Sequence, residues 1–385
     1  MTGKEAGMTA TVAAPVDISQ DKLAEYLQTV LGSGVEILGL RALGGDGNGA
    51  DPKALGYGAP FEIECIVDGD RRSYVVSRTR PTRGYGHDYP ADRAWQALYG
   101  HAAYNSFPRH VRSLDVGFVR ASGEMVRAGD ATQFFQLVEK AEGDLYWLDL
   151  ERLRCPGGRL AELDVQRAEA LARFLAEAHA EKRDDPSLYA RRLRELVGHG
   201  ECVMGILDSY PHPYPPLPVE VCEALEHDFV SWRWRLRNRT YRLARVHGDF
   251  HPWNLLFRRG TDFSVLDRSR GEWGEPADDV AALAVNYLFF GMRREDEMGD
   301  LGVAQPFRVL FELFLQAYVM ASGDYEIFET LPPFFAFRAL VLAHPYWYPT
   351  LSESVRGQLL HFARSMAVSS RFDPTDVSWL CGVAR

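Results

Sequence analysis

The residues of this chain best suited to chemistry are His247-Gly248-Asp249-Phe250-His251-Pro252-Trp253-Asn254, followed by Val265-Leu266-Asp267. Asp249 and Asn254 stand five positions apart, Asp267 follows thirteen positions after Asn254, and two apolar runs, Leu255 to Phe257 and Phe263 to Leu266, lie between them. Two short strands and a turn fit that interval. Magnesium takes hard oxygen ligands in near-octahedral geometry and keeps several waters, so a protein supplies one or two carboxylates or amides and nucleotide phosphates supply the rest. Asn254 and Asp267 suit that role. A third carboxylate, Asp249, on a tight loop ahead of the first strand, can accept the proton of an attacking hydroxyl. Singly, each such residue is an ordinary turn or cap former; together at this spacing they point to phosphoryl transfer.

The run H-G-D-F-H-P-W-N, the later L-D and the stretch G-E-P-A-D-D-V-A-A-L from Gly274 to Leu283 resemble the aminoglycoside phosphotransferase and choline kinase superfamily, relatives of protein kinases. The resemblance implies an α+β, bilobal, protein-kinase-like fold: a small antiparallel-sheet N-terminal lobe and a mainly helical C-terminal lobe. It implies ATP and Mg²⁺ as cofactors, and transfer of the γ-phosphoryl group to an alcohol group of a metabolite or an antibiotic-like acceptor. By the same resemblance Asp249 is the catalytic base, Asn254 and Asp267 are the magnesium ligands, and His247 braces the loop. Asp279 matches the aspartate that opens the next helix and holds the loop, although near a helix start it also reads as a cap. His251 reads equally as packing or as loop support.

Composition allows this. The chain has 385 residues, a formal charge of −10 and 46% hydrophobic residues, values of a soluble globular protein with two domains or lobes. The expected division is a flexible tail over 1–18, a nucleotide-binding lobe over 19–140, and a helical lobe over 141–385 that carries the catalytic loop and the acceptor site. The acidic balance argues against a general nucleic-acid binder, which needs a basic face. The five cysteines are scattered without a C-x-x-C pair, so neither a zinc site nor a disulfide framework is indicated, and a reducing cytoplasm is the simplest home. No signal-peptide core and no apolar run long enough for a membrane span is expected.

The elements that must position these residues follow from periodicity. Ser19 reads as the N-cap of an amphipathic helix that Gly32 stops. A strand from Val35 to Leu43, a glycine-rich segment from Gly44 to Gly49, a strand with Phe61, Ile63, Cys65 and Val67 alternating, an Asp68-Gly69 turn and a third strand from Arg72 to Arg78 come next. The order matches the entry to a kinase small lobe, with Gly45 and Gly47 near the nucleotide phosphates. The lysine that the family places on the third strand is missing. Arg78 is the best substitute, since a guanidinium holds phosphate oxygens in paired hydrogen bonds.

Pro90 to Asn105 reads as a helix with Trp95, Leu98 and Ala102 on one face, and Asp92 as the nearest acidic residue to pair with the strand cation. Phe134 to Val138 reads as an apolar strand leading into Glu139-Lys140-Ala141-Glu142-Gly143, which resembles the family's hinge; backbone groups of Glu139 and Ala141 would contact adenine. Helices are expected over Leu163 to Lys182, where His179 reads as packing, and over Val280–Phe290, Phe307–Met320 and Leu351–Ala367.

Glu295, Asp296, Glu297 and Asp300, with Tyr346, Trp347 and Tyr348, lie where the family shapes its acceptor site. Carboxylates and aromatic faces would draw a cationic acceptor, while a solvated acidic loop with core aromatics accounts for the same residues. Two other classes remain open. The missing lysine, Arg268 where an apolar residue is commoner and Ser269 where a second acid is frequent fit a nucleotide-binding regulatory protein with little transfer activity. A metal-dependent phosphoesterase would need further His and Asp clusters, and none is evident.

Overall fold

A computed structural model describes residues 19–43, 58–80, 86–268, 270–300 and 302–375. The tail 1–18, the glycine-rich segment with Gly45 and Gly47, and Ser269 lie outside the described residues. The chain divides into two compact units, Met1–Val138 and Glu139–Arg385.

In the first unit, α1 (Gln20–Leu31) begins where Ser19 Oγ accepts from the Lys22 amide and ends at Gly32, whose φ of 71° is left-handed. Strands β1 (Val35–Ala42), β2 (Phe61–Val67) and β3 (Asp70–Val76) form one antiparallel sheet in that order. Asp68 and Gly69 both take positive φ, as a two-residue hairpin turn requires, and set Val67 opposite Asp70. That register turns Ile63, Cys65 and Val67 inward against Leu23, Leu27 and Val35, forming a small core. Then follow α2 (Pro90–Ser106), β4 (Gly117–Val119) and β5 (Met125–Arg127), the last two a hairpin.

One expectation fails here. Phe134 to Val138 forms no strand, and Phe135 and Leu137 are 94% and 92% exposed. Strand propensity expresses packing against neighbouring strands, and this run pairs with none among the described residues. Helix α2 covers the span expected of it; no residue of it is buried, and Trp95 stacks on Tyr99 at 5.4 Å.

The second unit opens with β6 (Asp144–Leu145) and the helices α3 (Tyr146–Arg154), α4 (Glu162–Ala180), α5 (Pro186–Gly198), α6 (Val203–Ser209) and α7 (Val219–Leu236). Four short strands follow, β7 (Ala244–Arg245), β8 (Leu255–Phe257), β9 (Phe263–Val265) and β10 (Trp273–Gly274). They pair as β6-β8-β9 and β10-β7. Four longer helices complete it: α8 (Pro276–Met298), α9 (Gln305–Ser322), α10 (Ile327–Ala343) and α11 (Glu353–Val368). Helix α8 is buried on nearly every face because α3, α9, α10 and α11 all pack on it. An apolar helix surrounded in this way shows no amphipathic stripe. The same holds for α10, which the sequence reading did not anticipate; Pro332 and Pro333, ordinarily helix breakers, lie inside it.

Near the end of α8, Glu295 is buried and its Oε2 has no hydrogen-bond partner among the described residues. Burial, with the Asp300 carboxylate adding to it, pushes its carboxyl up to about 7. A carboxyl whose pKa is raised by folding binds its proton more tightly in the folded chain, so stability declines as pH climbs from the unfolded value of 4.5 through 7. Glu295→Gln keeps the neutral form at every pH. Its thermal midpoint should match the parent protein near pH 5 and exceed it by about 2–4 °C at pH 8 in a melting series; equal midpoints throughout would show that the Glu295 carboxyl is not strained.

Candidate active site

The site begins at the N-terminus of α8. Glu275 accepts from the Ala277 amide and Pro276 occupies the first helical position, which puts Asp278 and Asp279 in the first turn, where the helix end favours carboxylates. Asp279 is fully buried, and its hydrogen bonds go to the catalytic-loop candidate: the amides of His247 and Gly248, each at 2.7 Å. His179 on α4 donates to the same carboxylate from Nε2 at 3.2 Å, while its Nδ1 accepts from Tyr318 on α9. Burial alone would raise the Asp279 carboxyl, but the His179 contact and the two amides hold it below the ordinary carboxylate range. His179 therefore braces the loop through Asp279, a role that its reading as packing did not contain.

The loop is shaped by its own polar groups. Gly248 has a φ of 87°, and a Cβ there would stand 3.1 Å from the Arg270 side chain, so glycine is required. His247 Nε2 donates to the Leu266 carbonyl at 2.8 Å, and its Nδ1 accepts from the Asp249 amide. Asn254 is buried and donates from Nδ2 to the Asp249 carbonyl at 3.0 Å. A carbonyl only accepts, so this bond fixes which way the Asn254 amide faces and leaves Oδ1 without a partner among the described residues. Register Leu255↔Val265 and the Leu266 amide to the Asn254 carbonyl, 2.8 Å, then put Asp267 one residue beyond the position facing Asn254. Asp267 is exposed, takes a left-handed φ of 53°, and has no polar partner among the described residues. Arg268 has a structural task, donating to the Val246 carbonyl at 2.9 Å and the Glu272 carbonyl at 3.0 Å.

The Asp249 carboxylate is the most heavily partnered group of the set. Arg338 on α10 donates from Nη1 to its Oδ1; the same side chain reaches the Gly248 carbonyl at 2.8 Å and Asp278 at 2.6 Å from Nη2. His251 Nε2 lies 3.4 Å from Oδ2, and Arg270 Nη1 lies 3.9 Å from Oδ1. His251 also accepts the Trp253 amide on Nδ1, so its ring supports the loop from within. Burial would push the Asp249 carboxyl up; Arg338, His251 and Arg270 outweigh it and hold the group far below the usual range. Arg338, Arg270 and Asp278 were not singled out from the sequence. The available signal was Arg338 itself, a lone charge in an apolar run, which must find a carboxylate to be buried.

The remaining candidates lie elsewhere. Arg78 is in the first unit, two residues past β3, exposed, with its guanidinium 5.6 Å from the Phe61 ring centroid. Asp92 accepts from the Tyr89 amide at the start of its own helix. Glu139 and Ala141 open the second unit, ahead of Gly143, where a Cβ would come within 2.7 Å of the Phe257 carbonyl. A cavity of about 360 Å³ adjoins the loop; Trp147, Trp253 and Tyr348 wall it, and Asp296, Glu297 and Arg293 bring charge to it. Trp147 and Trp253 stack at 6.2 Å.

The sequence model described as phosphotransferase enzyme family (APH) matches residues 66–308, more than half of the chain and the whole of the loop just described. The chain belongs to the phosphotransferase enzyme family. Membership brings small-molecule phosphoryl transfer as its class of chemistry and the protein-kinase-like α+β architecture that the resemblance implied. Solved structures similar to this phosphotransferase include a glucosamine kinase in complex with glucosamine, ADP and inorganic phosphate (19% identity, 58% of either chain, TM-score 0.33). Others are the gentamicin complex of APH(2")-IIa (14% identity, 92% of this chain and 98% of that one, TM-score 0.31) and an ethanolamine kinase from Plasmodium vivax (12%, 90% and 80%, 0.33). At such identities and scores the likeness says nothing about substrate. A search of curated proteins returns no match.

Asp279→Ala leaves three donors in a buried site without their acceptor and should cost the phosphotransferase about 3 kcal/mol of stability in urea unfolding. A loss below about 0.5 kcal/mol would mean that the loop is held by other contacts.

Proposed function

We propose that this phosphotransferase is an ATP-dependent small-molecule kinase that transfers the γ-phosphoryl group to an alcohol group of its acceptor. The observation that carries the reading is the turn in which the Asp249 carbonyl holds Asn254, with Asp267 beside Asn254 across the β8–β9 hairpin. Asn254 Oδ1 and the Asp267 carboxylate are hard oxygen donors without protein partners among the described residues, which fits a magnesium ion that takes its other ligands from phosphates and water. When bound there, magnesium supplies charge neutralisation for the nucleotide phosphates. His247, Asp279 and His179 hold the loop.

Asp249 stays ionised throughout the working pH range, and its Oδ2, whose contact with His251 is long, is the oxygen available to an acceptor hydroxyl. In a loose phosphoryl-transfer transition state the proton leaves late, so aiming the hydroxyl in line matters more than strong basicity. We place the acceptor in the cavity between Trp253 and Tyr348, where carboxylates outnumber the single arginine, Arg293, and favour a compact hydroxylated amine. From the sequence resemblance we further propose Gly45, Gly47 and Arg78, and the backbone of Glu139 and Ala141, as nucleotide-binding residues, with 19–140 as the nucleotide-binding lobe. A cytoplasmic location, where ATP is supplied, accords with it; no described helix is long and apolar enough to cross a membrane.

Two observations favour the second reading, a nucleotide-binding regulatory protein: Asp249 is already paired with Arg338, and the strand that would carry the phosphate-gripping lysine has none. Magnesium-dependent ATP consumption against a panel of hydroxylated amines, sugars and antibiotics separates the two. The kinase reading expects turnover with at least one acceptor, abolished by a chelator; ATP binding with no turnover for any acceptor supports the regulatory one. Asp249→Asn should lower kcat by about 10²- to 10⁴-fold with ATP affinity nearly unchanged, and equal turnover would remove Asp249 from the role. Paired Asp296→Asn and Glu297→Gln changes should raise KM for a cationic acceptor about 10-fold and leave KM for ATP alone; an unaltered acceptor KM would move the acceptor out of this cavity.

A further inference from the structure

Resting on the kinase reading, we propose that Arg338 is a positioning residue of the reaction: from α10 it sets the direction of the Asp249 carboxylate, so the base is aimed by a helix outside its own loop. All three guanidinium nitrogens are engaged. Nε and Nη2 donate to Asp278 at 3.1 and 2.6 Å, Nη2 also donates to the Gly248 carbonyl at 2.8 Å, and Nη1 donates to Asp249 Oδ1. A planar fork tied on one side to a carboxylate and a backbone carbonyl cannot turn without breaking those bonds, which makes Nη1 a fixed point for Asp249. The other groups facing Asp249 are looser: His251 at 3.4 Å and Arg270 at 3.9 Å, the latter beyond hydrogen-bond range. Oδ1 is therefore pinned and Oδ2 is left toward the acceptor side. Arg338 is itself buried, so water does not compete for the contact.

Charge balance alone would explain an arginine between Asp249 and Asp278, and a lysine satisfies charge balance equally. Only the fork can hold both carboxylates and the Gly248 carbonyl in one plane. The lysine variant thus separates aiming from neutralisation.

The test compares Arg338→Lys and Arg338→Ala with the parent protein for kcat, KM for ATP and thermal midpoint, the alanine variant also with added guanidinium chloride at tens of millimolar. Aiming predicts that Arg338→Lys keeps its midpoint within a few degrees and its KM for ATP within about twofold, yet loses about 100-fold in kcat, the scale of an ångström-level misplacement. Guanidinium should restore at least tenfold of the turnover lost in Arg338→Ala. A lysine variant with parental kcat overturns the proposal, as does a folded alanine variant that guanidinium leaves unimproved; should the alanine variant not fold, the lysine variant decides. If the parent protein consumes no ATP with any acceptor, the kinase reading fails by itself. A double-mutant cycle of Arg338→Lys with Asp249→Asn, read on the thermal midpoint, still judges the contact: non-additive shifts support it and additive shifts overturn it.

Discussion

A carboxylate sealed from water and bonded to two successive backbone amides is the constraint on which the site depends. Asp279 takes the amides of His247 and Gly248 at the head of α8, and His179 fixes it from a helix a hundred residues earlier in the chain. Two amides pointing at one carboxylate determine the direction of the chain as it enters Asp249. From there the loop closes on itself through the Asn254 amide and the Asp249 carbonyl, and onto β9 through His247 and the Leu266 carbonyl. The short strands β8 and β9 could not alone hold the three candidate side chains in place; their precision is inherited from a helical core.

That dependence explains how the charges are distributed. Crowding the buried Asp279 against the half-buried Asp278 and Asp249 would be costly if each were left unpaired. The helix N-terminus, His179 and Arg338 offset the cost, and Arg338 serves two of the three carboxylates at once. The second unit is thus a packed bundle, α8 to α11, with a polar seam where the loop meets it, and the seam is ionic because hydrogen bonds to charged groups are short and directional in a dry setting.

The loop could be read from the sequence because its spacing is local: residues 247 to 267 contain the turn, the hairpin and the three oxygen donors, and β8 and β9 fall on the two apolar runs. The first sheet was readable for the same reason, through strict alternation along β2 and the Asp68-Gly69 turn. What escaped were partners brought by tertiary structure. Helix α10 is apolar all round and carries two prolines, so it has no periodicity to announce it, and Arg338 reads there as an interruption instead of a ligand of Asp249. His179 reads as packing because its partner is a hundred residues away. Phe134 to Val138 errs in the other direction: strand-forming residues need a neighbour to pair with, and composition does not supply one.

The left-handed backbone at Asp267 narrows what can replace it. Positive φ is tolerated by asparagine, aspartate and glycine far better than by longer or branched side chains. Glutamate offers the same charge, but it would pay in backbone strain and carry its oxygens one methylene further out. The backbone at 267 therefore favours a short side chain, and aspartate is the carboxylate that meets it with the least strain.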